Sequence, residues 1–174
     1  MFPKVTLILG GASSGKSSYA EALVKSAGRA KIYVATAQAN DKEMTARIAR
    51  HRDDRDADWQ THETPLDVTD VLADVSVCDV VLLDCATMWL SNHMIAKSDL
   101  PTEQDTLINA LTNCAAPVVV VSNEVGLGGV PGNKLARRFG QAQGALNIAL
   151  ATQADLVVQV TAGLPMVLKG TLPK

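Results

Sequence analysis

A glycine-rich turn between an apolar run and a helix-like segment constrains this chain more than any other feature of its sequence. Residues 10–17 read Gly-Gly-Ala-Ser-Ser-Gly-Lys-Ser, which matches the pattern G-x-x-x-x-G-K-[ST]. Glycines permit backbone angles that turn N–H groups towards phosphate oxygens, and a helix that follows adds the positive end of its dipole. The lysine places a positive charge near the β- and γ-phosphates, and the last serine supplies a hydroxyl suited to Mg²⁺.

This turn predicts a nucleoside-triphosphate site. A structural turn without a ligand is the alternative, but the pattern falls after a predicted strand and before a predicted helix, where phosphate binding requires it. We expect Lys16 to be catalytic and Ser17 to bind Mg²⁺. The predicted phosphate-binding residues are Gly10, Gly11, Ala12, Ser13, Ser14, Gly15, Lys16 and Ser17.

Short β-branched runs alternate with longer segments whose apolar residues recur at helical spacing. The strand candidates are apolar along nearly their whole length, which is typical of parallel strands covered on both faces. The strand candidates are Val5–Leu9, Lys31–Ala35, Asp79–Asp84, Pro117–Ser122, Leu156–Val160 and Met166–Leu168, and the helix candidates are Ser17–Ala27, Asp41–Arg55, Leu66–Asp74, Thr102–Asn113 and Asn133–Thr152. This order predicts a mostly parallel, open α/β sheet flanked by helices, with P-loop NTPase (RecA-like) architecture. A chain of 174 residues is expected to form a single domain spanning residues 1–174, since domains average about 150 residues.

The overall composition excludes several functional classes. The chain has 16 basic and 18 acidic residues and only 3% aromatic residues. We therefore expect it to bind no nucleic acid, because it offers neither a basic field nor a base-stacking surface. Its aliphatic runs fall far short of the about 20 residues that cross a bilayer, so no membrane span is expected. Three cysteines without a C-x-x-C pair, and no signal-peptide pattern, predict a cytoplasmic protein with free thiols.

The predicted strand that ends at Asp84 supplies an acidic residue of the kind that P-loop proteins place near Mg²⁺. The carboxyl ends of parallel strands share one edge of a sheet, so we expect Asp84 and the glycine-rich turn to meet there. A helix N-cap is the alternative role for this carboxylate. The next residues, Cys-Ala-Thr, lack the glycine that a regulatory GTPase would have. A small-molecule phosphotransferase is therefore favoured over a switch protein.

The segment Asp41–Arg55 carries an unusual pattern of charge. Arg47, His51 and Arg55 recur every four residues and therefore share one stripe of a predicted helix. One interpretation is a solvated helix laced with ion pairs. The other takes His51 as a nucleophile towards phosphorus, because a neutral imidazole is available near pH 7 and flanking arginines would bind phosphates. The spacing alone leaves both interpretations open.

These blocks resemble the bifunctional adenosylcobinamide kinase / adenosylcobinamide-phosphate guanylyltransferase family of cobalamin biosynthesis. The resemblance covers nearly the whole chain, and several of its blocks are more specific than the glycine-rich turn. Beyond that turn and the charged segment up to Glu63, the matching pieces are Tyr33–Ala37, Leu82–Cys85, Trp89–Asn92, Ser122–Gly126, Val130–Pro131, Leu135–Phe139 and Ala162–Pro165.

The resemblance implies a two-step activity. Adenosylcobinamide would be phosphorylated with ATP or GTP, and GMP from GTP would then reach adenosylcobinamide phosphate through a guanylylated histidine at the position of His51. It also implies a homo-oligomer, in the form of a ring-like trimer, while Mg²⁺ is the cofactor that the glycine-rich turn and Asp84 predict. The nucleotide-binding residues that it implies outside the turn are Ala35, Thr36, Ala37, Arg52, Asp53, Asp54, Arg55, Glu63 and Asp84, with Asp84 near Mg²⁺ directly or through a water.

Two other functions remain compatible with the motifs. One is a single-function P-loop kinase for another small alcohol, in which His51 is structural. The other is a nucleotide-sensing module that binds GTP without chemistry. Whichever applies, the glycine-rich stretch Ser122–Asn133 predicts a substrate-side loop, with Asn133 capping the helix that follows.

Overall fold

The computed structural model describes residues 1–38 and 58–173 of the chain. The strands in these residues are β1 (Val5–Gly10), β2 (Ala30–Ala35), β3 (Trp59–Glu63), β4 (Asp79–Asp84), β5 (Val118–Asn123), β6 (Leu156–Thr161) and β7 (Leu164–Lys169). The helices are α1 (Lys16–Ser26), α2 (Val68–Asp74), α3 (Ala86–Ala96), α4 (Leu100–Asn113) and α5 (Lys134–Gln153).

The strands form one sheet in the order β3-β2-β4-β5-β1-β6-β7. All neighbouring strands run parallel except β6 and β7, which pair antiparallel. Strand β5 enters late in the sequence but lies between β1 and β4, so the end of β5 separates the glycine-rich turn from Asp84. The predicted mostly parallel open sheet of a P-loop NTPase with RecA-like architecture is confirmed.

Helices cover both faces of the sheet, which explains why its central strands are apolar throughout. On one face, Ala20 and Val24 of α1 pack against alternate residues of β1, β4, β5 and β6. On the other face, apolar residues of α2, α3, α4 and α5 pack against the remaining residues of the same strands. Each central strand therefore buries side chains in two separate clusters, because successive side chains of a strand point to opposite faces.

Two elements of the described chain are absent from the sequence-based prediction. Strand β3 lies at the edge of the sheet, and apart from Trp59 its residues are polar and largely exposed, so no apolar run marks it. Helix α3 buries residues around more of its circumference, including the polar Asn92 and His93, so no single apolar stripe marks it. The predicted helix Asp41–Arg55 lies outside the described residues.

The other predicted elements are present with shifts of a few residues. Helix α4 begins at Leu100 instead of Thr102, because Pro101 occupies the first turn, where its missing N–H is not needed. Strand β7 spans Leu164–Lys169, longer than the predicted Met166–Leu168, and all six of its residues are exposed. Within residues 1–38 and 58–173, none of the helices has the length and apolar character that crossing a membrane requires.

Candidate nucleotide-binding site

The glycine-rich turn joins the end of β1 to the start of α1, as the phosphate-binding pattern requires. Gly10 is the last residue of β1, and Gly15 immediately precedes α1 with a positive φ of 88°. Lys16 and Ser17 are the first two residues of the helix and are both buried. The Lys16 ammonium folds back over the turn and donates to the carbonyl oxygen of Gly11 at 3.1 Å. The N–H groups of the first helical turn and the lysine charge therefore lie at the same end of α1, beside the turn.

Two of the glycines in the turn are required by close contacts. A Cβ on Gly10 would lie 2.7 Å from the carbonyl oxygen of Val160, which is too close for a side chain. A Cβ on Gly15 would lie 3.1 Å from the Cα of Gly163, in the turn between β6 and β7. By contrast, nothing described lies within 4 Å of the Cβ position of Gly11. The turn is thus packed against β6 and its hairpin on one side and open on the other.

The remaining residues of the turn are more accessible. Ala12 and Ser13 are exposed, and Ser13 has a φ of 56°, a backbone conformation that side chains rarely adopt. The Ser14 N–H donates to the Gly11 carbonyl at 3.3 Å, and the Ser14 hydroxyl is buried with no partner among the described residues. Of the predicted residues in the turn, Gly10, Lys16 and Ser17 are therefore buried, while Ala12, Ser13 and Gly15 are exposed.

Asp84 lies at the carboxyl end of β4, on the same face of the sheet as α1. Its neighbour two residues earlier, Leu82, packs in the cluster with Ala20 and Val24 of α1, and side chains two apart share a face. The Tyr33 hydroxyl donates to Asp84 Oδ2 at 3.1 Å and so orients the carboxylate. The alternative role of helix N-cap is wrong, because the N-cap of α3 is Cys85, whose Sγ accepts from the Met88 N–H.

Thr36 is buried beside this carboxylate, and its side chain has a structural role. Its hydroxyl donates to the Cys85 carbonyl at 2.8 Å and accepts from the Cys85 N–H at 2.9 Å. The backbone of Thr36 is also hydrogen-bonded within the protein, because its N–H donates to the Asp84 carbonyl at 3.2 Å and its carbonyl accepts from Asn92. The flanking residues Ala35 and Ala37 are only half-buried.

Glu63 ends β3 and is paired in register with Ala35 of β2. Its side chain is exposed at the same carboxyl edge of the sheet. The buried amide of Asn92, on α3, connects the loops that follow these two strands: its Nδ2 donates to the Thr36 carbonyl at 2.8 Å and to the Pro65 carbonyl at 3.0 Å. Asn92 thus connects the loops that follow β2 and β3, where the predicted nucleotide contacts lie.

The fold brings most of the predicted site residues to one edge of the sheet. The turn residues 10–17, the segment 35–37, Glu63 and Asp84 all lie at the carboxyl ends of parallel strands. The other predicted residues, His51, Arg52, Asp53, Asp54 and Arg55, lie outside the described residues, so their role stays a prediction.

The donor set at this edge fits Mg²⁺. A serine hydroxyl and a carboxylate are the hard oxygen ligands that Mg²⁺ prefers, and Mg²⁺ commonly keeps several waters and takes only one or two protein ligands. Ser17 and Asp84 provide that pair on the α1 face. Over residues 1–38 and 58–173, no group of three or more histidine, cysteine or acidic residues could hold a metal ion by itself.

Two residues near the site, Cys85 and Asn123, were not predicted to have a role in it. Cys85 is buried beside Asp84, and this burial, with the Asp84 charge adding to it, raises the pKa of its thiol to about 11. Asn123 ends β5 directly opposite Gly10, and its backbone N–H donates to the Thr87 hydroxyl of α3. The sequence does contain a signal for Asn123, because it is a polar residue at the end of an apolar strand. The same signal identified Asp84.

The stretch after β5 forms an exposed loop that ends as predicted. Asn133 Oδ1 accepts the Ala136 N–H at 2.7 Å, so Asn133 is the N-cap of α5. Arg137 donates to the carbonyls of Pro131 and Gly132 and braces the loop from the helix. Leu127 and Val130 project into solvent from this loop.

A comparison with solved structures shows similarity at the level of the fold. A structure from Pyrococcus horikoshii OT3 aligns with a TM-score of 0.55 and 6% sequence identity, covering 98% of this chain and 88% of the other. At that identity the likeness concerns the α/β architecture alone.

Comparison with known sequences is far more specific. The profile described as cobinamide kinase / cobinamide phosphate guanyltransferase matches residues 6–168. The bifunctional adenosylcobalamin biosynthesis protein CobP of Pseudomonas aeruginosa is 44% identical over 169 residues, covering 94% of this chain and 96% of that protein. The bifunctional adenosylcobalamin biosynthesis proteins CobU of Salmonella typhimurium and Escherichia coli are 41% and 37% identical, each covering 94% of this chain and 98% of its own length. The chain therefore belongs to the cobinamide kinase / cobinamide phosphate guanyltransferase family.

Proposed function

We propose that this chain is a bifunctional transferase of cobalamin biosynthesis. It phosphorylates adenosylcobinamide with ATP or GTP, and it then transfers GMP from GTP to the phosphorylated product to give adenosylcobinamide-GDP. The observation that carries the proposal is that the residue 10–17 turn and Asp84 lie on one face of the sheet, at the carboxyl ends of its strands, in a chain whose family match spans residues 6–168.

The turn supplies what phosphoryl transfer needs from a protein. The transferred group carries charge on its oxygens, so catalysis depends on positioning and on electrostatic stabilisation. The buried Lys16 provides a positive charge held over the turn, and the start of α1 provides N–H donors. Mg²⁺ bound near Ser17 and Asp84 would neutralise charge on the phosphates. The acceptor is the hydroxyl of the aminopropanol arm, as the family resemblance implies.

The guanylyl transfer would use His51 as a covalent carrier. A ring nitrogen of His51 forms a bond to the α-phosphorus of GTP while the bond to the bridging oxygen of pyrophosphate breaks, and the electron pair leaves with pyrophosphate. A phosphate oxygen of adenosylcobinamide phosphate then attacks the same phosphorus and releases the imidazole. Arg52, Asp53, Asp54 and Arg55 are proposed to contact the nucleotide together with residues 35–37 and Glu63.

We further propose that the protein forms a homo-oligomer, a trimer by family resemblance, in the cytoplasm. Strand β7 supports self-association because Leu164, Met166 and Leu168 are exposed along a strand at the edge of the sheet. Such an edge is a ready template for pairing with another chain. The free thiols of Cys78, Cys85 and Cys114 are consistent with a reducing compartment. Light scattering coupled to gel filtration measures the mass directly, and a monomer of 18.4 kDa would contradict self-association.

Labelling with GTP that carries radioactive phosphorus at the α-position tests the covalent step. The protein is expected to retain the label through alkali and to lose it in acid, as a phosphoramidate does. His51→Ala should abolish labelling and keep the phosphorylation of adenosylcobinamide. The matched control is His62→Ala, because His62 is a partly exposed histidine of β3 whose ring forms a hydrogen bond with Gln60.

The outcomes separate the candidate functions. Phosphorylation of adenosylcobinamide without any protein label would indicate a single-function kinase. GTP binding with neither activity would indicate a nucleotide-sensing module. Lys16→Met tests the turn for all three candidate functions and should weaken nucleotide binding. The control is Lys25→Met, which should leave nucleotide binding unchanged, because Lys25 is exposed at the other end of α1.

A further inference from the structure

The residue that ends β5 lies closer to the phosphate-binding turn than its place in the sequence suggests. Asn123 is paired in register with Gly10, the first residue of the turn. The next backbone N–H, that of Glu124, donates to the Gly10 carbonyl at 3.0 Å. Asn123 therefore lies beside the strand that leads into the turn, and the residue that follows it is hydrogen-bonded to that strand.

The side chain of Asn123 faces α1 and not the opposite helices. The preceding residue, Ser122, bonds through its hydroxyl to Asn147 of α5, so Ser122 points to the α5 face. Successive side chains of a strand alternate, which places Asn123 on the other face together with Val121. Val121 packs with Ala20 and Val24 of α1. The Asn123 amide therefore lies on the same face of the sheet as Asp84 and the start of α1.

The backbone of Asn123 is held by side chains of two helices. Its N–H donates to the Thr87 hydroxyl of α3 at 2.8 Å, and its carbonyl accepts from Asn147 Nδ2 of α5 at 3.0 Å. Asn147 is itself fixed, because its Oδ1 accepts from Ser122 at 2.6 Å and from the fully buried Gln143 at 2.9 Å. Burying polar side chains of this kind is unfavourable unless they hydrogen-bond to one another. This network fixes the backbone of Asn123 at the end of β5.

The side-chain oxygen of Asn123 is left without a protein partner among the described residues. Asn123 Oδ1 is buried and accepts no hydrogen bond within residues 1–38 and 58–173. A buried acceptor without a donor is uncommon in native proteins, because the oxygen loses its hydrogen bonds to water and gains none in return. A group that brings a hydrogen-bond donor to the edge of the sheet, between Gly10 and Asp84, would satisfy this oxygen.

We propose that Asn123 is a catalytic residue of the kinase step, which rests on the proposed function. Its Oδ1 accepts a hydrogen bond from the acceptor hydroxyl, and its Nδ2 donates to an oxygen of the γ-phosphoryl group. The amide thereby aligns the hydroxyl oxygen with the γ-phosphorus. An orienting side chain of this kind is a recurring part of phosphoryl-transfer sites.

The bonds formed and broken in this step are balanced. The hydroxyl oxygen forms a bond to the γ-phosphorus, and the bond from that phosphorus to the β-phosphate oxygen breaks with its electron pair remaining on the nucleoside diphosphate. The hydroxyl proton passes to an oxygen of the transferred phosphoryl group and then to solvent, because an amide does not take it up. Guanylyl transfer to an imidazole has no hydroxyl to orient and occurs at the α-phosphorus, so it does not need Asn123.

The two half-reactions give a direct test. In Asn123→Ala and Asn123→Asp we expect kcat for phosphorylation of adenosylcobinamide to fall by about 100-fold, with KM for the nucleotide changing less than about threefold. Labelling of the protein by α-labelled GTP should stay within about threefold of the wild type. The matched control is Asn113→Ala, an exposed asparagine at the end of α4, which should change neither activity.

The positioning network is tested through Thr87. Thr87→Val removes the hydroxyl that accepts the Asn123 N–H but keeps the shape of the side chain, and it should lower kinase kcat by about tenfold with little change in KM. Thr87→Ser keeps the hydroxyl and should restore the activity. If Thr87 had only a structural role, Thr87→Val would change the stability of the protein, and Thr87→Ser would not restore kcat.

Three outcomes would overturn the inference. Kinase kcat within about threefold of the wild type in folded Asn123→Ala would show that the amide is not needed. An equal loss of both half-reactions, or a loss expressed in KM alone, would make Asn123 a nucleotide-binding or structural residue. Failure of the proposed function is distinct from all of these, because the wild-type protein would then form no phosphorylated product.

Discussion

The Gly163 N–H donates a 2.8 Å hydrogen bond to the carbonyl oxygen of Ser14. This bond joins the tip of the β6–β7 hairpin to the middle of the phosphate-binding turn. Gly163 has a φ of 78°, so the tight turn between the two strands presents its N–H in this direction. The shape of the turn therefore depends on a hairpin near the other end of the chain as well as on its own glycines.

Gly15→Ala should weaken nucleotide binding because a methyl group at this position crowds the β6–β7 hairpin and strains the backbone of the turn. The new Cβ would lie 3.1 Å from Gly163 Cα, and the φ of 88° would be strained for alanine. We expect a loss of about 1–3 kcal/mol in the free energy of unfolding, and a measurable loss of nucleotide affinity by calorimetry.

The matched control for this prediction is Gly28→Ala. Gly28 also has a positive φ, of 63°, but nothing described lies within 4 Å of its Cβ position. This variant should lose stability through backbone strain and keep its nucleotide affinity. If both variants bind the nucleotide equally well, contact with the hairpin does not shape the turn.

Asp84→Asn should lower activity and raise the Mg²⁺ concentration needed for half-maximal rate. An amide replaces the carboxylate that Tyr33 orients, and a neutral group attracts Mg²⁺ and its waters less strongly. We expect the activity to fall, and the Mg²⁺ concentration for half-maximal rate to rise, by roughly 10- to 100-fold, by analogy with groups that hold a metal through water. Asp79→Asn is the control, since Asp79 is the acidic residue at the opposite end of the same strand. Equal Mg²⁺ dependence in the two variants would contradict the metal role.

Asn92→Leu should reduce both stability and nucleotide affinity. The substitution removes the amide that donates to the Thr36 and Pro65 carbonyls, and it leaves both acceptors without that donor. The expected loss is about 1–3 kcal/mol in the free energy of unfolding. Nucleotide affinity should fall as well, because the loops after β2 and β3 would no longer be held together.

Gln153→Leu separates these two effects of the Asn92 substitution. Gln153 also donates two hydrogen bonds from its amide, to Ile108 and Thr112, but it does so at the end of α5 where no predicted site residue lies. Urea unfolding and nucleotide titration should show lower stability with unchanged affinity. An equal loss of affinity in Gln153→Leu would mean that Asn92 acts only through global stability.

The pH dependence of stability should report the buried thiol of Cys85. Burial raises its pKa from 9.0 to about 11, so the folded protein favours the neutral thiol. Its contribution is fully present below pH 9, where the thiol is neutral in both states, and it is lost as the pH rises from 9 to 11 because only the unfolded state ionises. The slope is about 1.4 kcal/mol per pH unit in that window.

Urea unfolding at about pH 8, 9 and 10 measures this contribution. The difference in the free energy of unfolding between the wild type and Cys85→Ala should shrink as the pH rises above the ordinary thiol pKa, since alanine has no proton to lose. Cys78→Ala is the control, because Cys78 is an exposed thiol. A difference that stays constant across the pH series would contradict the raised pKa.

Much of the fold followed from local patterns in the sequence. Apolar runs identified the central strands because both of their faces are covered, and the residue 10–17 turn was recognisable because its parts are consecutive. Strand β3 was not predicted because an exposed edge strand has no apolar run. Helix α3 was not predicted because a helix that is buried around much of its circumference has no single apolar stripe. The contacts of Asn92 could not be predicted from local patterns, because its partners lie in two loops that are distant from it in the sequence.

The consecutive residues from Gly10 to Ser17 and the strand ending at Asp84 were enough to predict a nucleotide site on an α/β sheet, since their chemistry and spacing act locally. Tertiary structure decided which other groups join them. Strand order places Asn123 beside Gly10, and the Thr36 hydroxyl bonds to Cys85, 49 positions away. Hydrogen bonds of this kind depend on which strands become neighbours. That is determined by packing over the whole sheet, and neither the period nor the composition of a single segment encodes it.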